Sequence, residues 1–541
     1  MGISYLIKHL IPYAETVSLG KPTDQGPPCV QSVVIDGPSL VYHVYYRLLA
    51  WTDPTCDVLD IQPTCDEVSR GVRDTRLARI EKSRHRLELA SRRNVSPEHE
   101  YRTETLFQPV QLWQTRNLPA RWRNLPENPF MVSAVFEDLR FRWNKRSILQ
   151  EFEHRSDLPL AEAEFPWAGV TVMVPGEADI ECARISKLHG SAVLTNDSDL
   201  LVHDLGPHGA VVLLNSVHMI AGAPDLAGSE IRGLRLHPSR LSDRLGFVNL
   251  QRFAYELTRD PHRSFVELLR RSKEDSGKVE QSAAYIDFIR EYQHNEPTGA
   301  EKIQRVQTCD PRVSELFWQY EQPDVYCCAE QPHMYLGILH EDHSRRCAWE
   351  QGRFYRAIGY SLLNLSRSDP HMLSVVHEFV RRGGRIVAER VTLGRAETTA
   401  SDLSILQKRL DLAQTTFGQR TQSSFWVLFA LSEIYRDSSN ATTIPDAIHL
   451  GRFLEKGFMG NRTEWADIHL MAQIQALLYS LRVLKQLVEI TAEKISVQHR
   501  FILADLPPLH VLMRSRHQIV ECFSINGLAH NSVCQLLKVY G

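Results

Sequence analysis

The sequence predicts an α/β fold over residues 1–270, a parallel sheet with flanking helices, joined to a mainly helical C-terminal domain over 271–541. Three observations predict it. Short β-branched runs alternate with amphipathic stretches in the first half; loops rich in carboxylates follow those runs; and beyond about residue 270 long helical stretches take over.

The first unit is Val33-Val34-Ile35, which ends in Asp36-Gly37-Pro38-Ser39, a strand closing on a turn. Leu40 to Leu49 then has apolar and aromatic residues dense enough for a helix lying against the sheet. Asp53 to about Leu160 is polar and contains RDTRLARIEKSRHRLELASRR at 73–93, with eight Arg/Lys against three Asp/Glu. Leu77, Ile80 and Leu87 recur there at helical spacing, which reads as a basic amphipathic helix. Val170 to Val174 reads as a second strand, broken by Pro175-Gly176 before a helix from Glu177 to Leu188. Ala192 to Thr195 is a third strand, running into Asn196-Asp197-Ser198-Asp199. Past the charged stretch from Arg270 to Ser282, Leu403 to Leu412 and Ile468 to Lys494 read as helices, and no repeat of fixed period is present.

Composition narrows the class. A chain of 541 residues holds two to four domains at roughly 150 residues each, and 43% hydrophobic with 23% charged residues is a globular balance. Net charge is −3, so attraction to nucleic acid has to come from a local basic patch. The ten cysteines form no CxxC pair, and Cys327-Cys328 are adjacent, so neither a disulfide framework nor a zinc ribbon is spelled out. MGISYLIKHLIPYAE lacks the pattern of a signal peptide, and Leu6 stands where a myristoylation signal needs Ser or Thr. The most apolar stretch, Ala472 to Val488, is interrupted by Gln473, Gln475, Ser480 and Arg482. The expectation is an intracellular protein, nuclear or cytoplasmic, not secreted and with no membrane partner.

The chemistry concentrates in VPGEADIECA at 174–183 and LTNDSDLLVHD at 194–204. Glu177 and Asp179 open a helix just after one strand, Asp197 and Asp199 flank a serine just after the next, and Asp36 follows the first. In an open α/β sheet, ligands bind beyond the carboxyl ends of the strands. Crowded carboxylates repel one another unless cations neutralise them, and hard oxygen donors suit Mg²⁺ or Mn²⁺. Two such ions would serve phosphodiester hydrolysis. Each acid taken singly also reads as a helix cap.

MGISYL, VVIDGPSL, PGEADIECA and LTNDSDLLV together resemble the flap endonuclease or XPG-like nucleases with a PIN-like fold, over roughly residues 1–270. YYRLLAW and QPTCDEVSRGV resemble the Asteroid branch of XPG-domain proteins. The resemblance implies that Asp36, Glu177, Asp179, Asp197 and Asp199 are the metal-binding, catalytic acids. It also implies that Arg79 contacts phosphate, and Arg76, Lys82 and Arg86 share its basic segment. The implied activity is two-metal hydrolysis of DNA or RNA at flaps, junctions or ends. The sequence departs from the family where Val72 runs directly into Arg73, because a helix and a strand ending in a further acid are expected there. That departure keeps a rival open: a PIN-like scaffold that no longer cuts and binds RNA or protein partners in post-transcriptional regulation.

Lesser signals carry alternatives. Asp260 is the candidate for the last family acid, or caps a helix before Pro261. LRFRWNKRS at 139–147 and RWRN at 121–124 interleave Arg and Lys with aromatics, as base stacking requires or as a snorkelling amphipathic helix would show. HEDHSRRC at 340–347 has ligand-type residues in no zinc spacing. TQSSFWVLFALSEIY at 421–435 reads as helix packing, and the C-terminal helical region as a possible surface for a protein partner.

Overall fold

The computed structural model describes residues 2–19, 26–52, 64–77, 114, 116–122, 125, 127–144, 146–147, 169–174, 178–220, 230–246, 249–274, 277–292, 306–322, 331–367, 373–437 and 446–524. The first sheet comprises β1 (Glu15–Ser18), β2 (Val33–Ile35), β3 (Ala192–Thr195), β4 (Ala210–Leu213), β5 (His218–Ile220) and β6 (Glu230–Leu236), in the order β1-β6-β4-β3-β2 with β5 also on β6. β2, β3 and β4 are parallel, while β6 runs antiparallel to β4, β1 and β5. The expected parallel sheet is therefore its centre, extended by antiparallel strands on one side. A second sheet, β7 (His333–Tyr335), β8 (Val375–Arg382) and β9 (Arg385–Thr392), lies within the otherwise helical second half.

The helices that flank the first sheet are α1 (Leu6–Leu10), α2 (Gly37–Trp51), α3 (Cys65–Leu77), α4 (Met131–Phe141), α5 (Ala178–His189), α6 (Pro238–Leu245), α7 (Leu250–Arg259) and α8 (Phe265–Lys273). The later long ones are α9 (Pro311–Glu321), α10 (Arg353–Leu365), α11 (Ala396–Phe417), α12 (Ser423–Asp437) and α13 (Trp465–Ile490). Strand alternation assigns the two faces. Ala192, Leu194 and Val212 enter a large apolar cluster with α2, α3, α4 and the helices of the second half. Val193, Val211 and Leu213 enter a smaller cluster with Leu6, Leu10, Cys182, Phe253 and Leu268. No helix among the described residues is long and apolar enough to cross a membrane.

One expectation is corrected. Val170 to Val174 joins no sheet: Val170 and Val172 are exposed, and the Met173 backbone exchanges hydrogen bonds with the Gln307 side-chain amide. The second half is mainly helical, as expected, and also holds a hairpin of β8 and β9 across Gly383-Gly384, where Gly383 has φ +59°. α3 runs unbroken through Val72-Arg73, and β2 ends the order of the sheet with all three residues only half-buried.

Candidate functional site

Asp36 closes β2 and caps α2, accepting from the Ser39 N–H at 3.3 Å. Its carboxylate is 4% exposed and also accepts from the Thr195 hydroxyl at 2.7 Å. Parallel register explains the meeting, since Ile35 lies opposite Leu194 and the next residues, Asp36 and Thr195, end their strands together. The Thr195 oxygen in turn accepts from the Asp197 N–H at 2.9 Å, so one hydroxyl ties both acidic loops. Burial raises the Asp36 carboxyl above the ordinary Asp range, and the like charge of Asp197 raises it further against the two hydrogen bonds.

The loop after β3 is braced from the N-terminus. Asp197 accepts from the Asp199 N–H at 3.1 Å, Asp199 accepts from the Ile3 N–H at 2.9 Å, and the Ser198 hydroxyl donates to the Ile3 carbonyl. Gly2 has φ +105°, and a Cβ there would lie 2.5 Å from Asp197 Oδ1 and Ser198 Oγ. Glycine is required at that close approach. Asp179 lies on the first turn of α5, and its charge reaches the Cys182 thiol together with those of Asp36 and Glu181. Burial, followed by these carboxylates, holds that thiol well above the ordinary Cys range.

A polar network adjoins the acids. The Asn196 N–H donates to Ser39 Oγ at 2.7 Å, Asn196 and Asn215 exchange hydrogen bonds, and His43 Nδ1 lies 3.2 Å from Asn215 Oδ1. His43 is pushed down to about 4, by burial first and then by the Arg47 charge, so it is neutral at pH 7. His43, Arg47 and Asn215 were missed in the sequence because nothing in their local pattern distinguishes them from helix and loop residues. Helical periodicity placed His43 and Arg47 one turn apart without revealing what they face.

Asp36, Asp197 and Asp199 are thus gathered at one sheet end, with Asp179 on the adjoining helix. Glu177, Arg79, Lys82 and Arg86 lie outside the described residues, as does the side chain of Arg76, whose backbone belongs to α3. The donors suit a hard divalent cation in kind: they are oxygens, and Asp36 is buried beside a like charge that a cation would neutralise. Among the described residues no group of three or more His, Cys, Asp or Glu residues could hold a metal ion.

The lesser candidates resolve differently. Asp260 caps the C-terminus of α7 and pairs with Arg263, while His262 in the same turn meets the Tyr5 ring. Trp122 and Trp143 are buried, Trp143 donates to Ser69 Oγ, and Arg142 pairs with Asp66 and Asp138. Those two tryptophans face inward and cannot stack on bases, whereas Phe141 of the same segment is exposed. In HEDHSRRC, Glu341 accepts from Arg381, the Ala348 N–H and Cys347, which makes the segment a hydrogen-bonded loop anchor.

A family model described as XPG domain containing matches residues 127–393, from the start of α4 through β9, with Asp179, Asp197 and Asp199 inside the match. No curated protein and no solved structure matches the chain.

Proposed function

We propose that this chain, whose residues 127–393 match a family model described as XPG domain containing, is an XPG-like, metal-dependent, structure-specific nuclease hydrolysing phosphodiester bonds in DNA or RNA. The observation that carries the reading is the union of Asp36 and the Asp197–Asp199 loop through one Thr195 hydroxyl. The described acids alone form no ready metal-holding group, so Asp36, Asp179, Asp197 and Asp199 would hold Mg²⁺ or Mn²⁺ only together with Glu177, which lies outside the described residues. Such ions, when bound, supply an activated water and neutralise charge on the scissile phosphate.

The chain's own groups do the positioning. Thr195 keeps the two acidic loops in fixed relation, the N-terminal turn braces Asp199, and neutral His43 holds Asn215 against Asn196. Arg76, Arg79, Lys82 and Arg86 are proposed to take backbone phosphates, a contribution that weakens with salt. The test is cleavage of labelled flap, junction and single-stranded substrates in Mn²⁺. Replacing both Asp197 and Asp199 by Asn is expected to lower the rate by at least about 100-fold with the melting temperature retained. Cleavage at the parent rate by that folded variant sinks the assignment.

A further inference from the structure

The second sheet presents one face inward and one outward. Inward, Val376, Val380 and Val391 are buried, and Glu378 accepts from Arg356 and Tyr360 in a fully buried pair. Outward stand Tyr335, Phe379, Ile386, Ala388, His377 and Arg390, brought side by side by the register Tyr335↔Phe379↔Ala388 and His377↔Arg390. Tyr335 is 52% exposed and Ile386 56% exposed, and the Tyr335 and Phe379 rings are parallel, 4.4 Å apart at 10°.

Charge decides what such a face suits. No strand residue of the outward face is a carboxylate, because Glu378 and Glu389 alternate to the other side, where Glu389 pairs with Arg353. Arg382 and Arg385 at the hairpin tip alternate to the inward side with Glu378 and Glu389, which leaves Arg390 as the exposed arginine among the outward strand residues. Arg381, also outward, is buried against Glu341 and donates to the carbonyls of His343, Arg345 and Gly383, and Arg345 and Arg346 of that loop pair with Asp342 and Glu350. Exposed rings on a sheet beside an arginine are what unstacked bases and their phosphates require.

We propose that the outward face of β7, β8 and β9 is a platform for single-stranded nucleic acid, with bases stacking on Tyr335 beside Phe379 and a phosphate held by Arg390. It takes its ligand class from the nuclease reading and assigns the unpaired strand of a substrate to a surface separate from the carboxylates. A protein ligand suits the face less well, since nothing among its strand residues would balance the Arg390 charge except an acidic partner.

The experiment is fluorescence anisotropy of labelled oligo-dT and oligo-U with the full chain in EDTA. The parent is expected to bind, Tyr335→Ala to bind about ten-fold more weakly, and Tyr335→Phe to bind as the parent does. Arg390→Ala is expected to reduce the slope of log affinity against log salt by about 0.7. Asp197→Asn with Asp199→Asn is expected to leave this binding unchanged. Undiminished binding by Tyr335→Ala overturns the platform. So does absence of single-strand binding by the parent, and metal-dependent cleavage measured on the same preparation then shows whether the nuclease reading stands without it.

Discussion

Asp36 carries three roles that pull against each other: it caps α2, ties β2 to β3 through Thr195, and stays buried beside Asp197. Its carboxyl is raised, so the folded chain binds that proton more tightly than the unfolded chain. Stability at this residue is therefore highest at low pH and is lost as pH rises from the ordinary carboxylate value through the raised one. Asp36→Asn is expected to be more stable than the parent above that window in EDTA and no more stable below it. Melting temperatures compared from about pH 3, below the ordinary carboxylate value, to about pH 8 check this. On the proposed metal site, Mn²⁺ is expected to raise the melting temperature of the parent and to raise that of the variant much less, which a titration of melting temperature against Mn²⁺ reads. Legibility at this scale was uneven. The order of the acids was plain in the sequence, whereas Gly2 stood out only within a motif, and its close approach to Asp197 needed the fold.

At the scale of elements, periodicity placed the parts that bury one stripe or one face. Val33–Ile35, Ala192–Thr195, the helix after Asp36 and the helix at Trp465–Ile490 all formed close to where the pattern put them. It failed where tertiary pairing decides. Val170–Val174 has strand composition but ends beside Gln307, and the β8–β9 hairpin was passed over although Gly383-Gly384 between alternating runs is a hairpin signal. β8 is secured by the Arg356–Glu378 pair, which bridges it to α10 with both side chains fully buried. Removing one partner leaves the other charge uncompensated in the interior. Glu378→Ala is expected to cost about 3–5 kcal/mol, measured as a lowered urea midpoint, and Glu378→Gln to recover part of that through its remaining hydrogen bonds.

Across the whole molecule, the change in composition near residue 270 does not coincide with a gap in the packing. The larger apolar cluster takes Val44, Leu48, Met131 and Val135 from the first half together with Trp349, Tyr479 and Leu484 from the second. Glu137 on α4 accepts from Arg482 on α13 at 2.5 Å and from the Leu509 N–H at 2.9 Å, while His510 lies 2.7 Å from Asp138. A fragment of residues 1–274 would expose that apolar surface and leave Glu137 without its cation. It is expected to lack a cooperative unfolding transition and to bind a hydrophobic dye, checked by calorimetry and dye fluorescence against the full chain.

From the sequence alone, Asp36 and the Asp197–Asp199 pair were legible as acids that follow strands, because strand, turn and helix signals are local and side-chain chemistry travels with the residue. The sequence also determined most helices, through stripes of apolar residues at helical spacing. Only the tertiary structure decided that Thr195 joins two acidic loops, that Trp143 turns inward while Tyr335 and Phe379 face outward, and that one apolar cluster crosses both halves. Those outcomes depend on register, on which face of an element meets a neighbour, and on contacts between residues hundreds of positions apart. A local pattern carries none of that information.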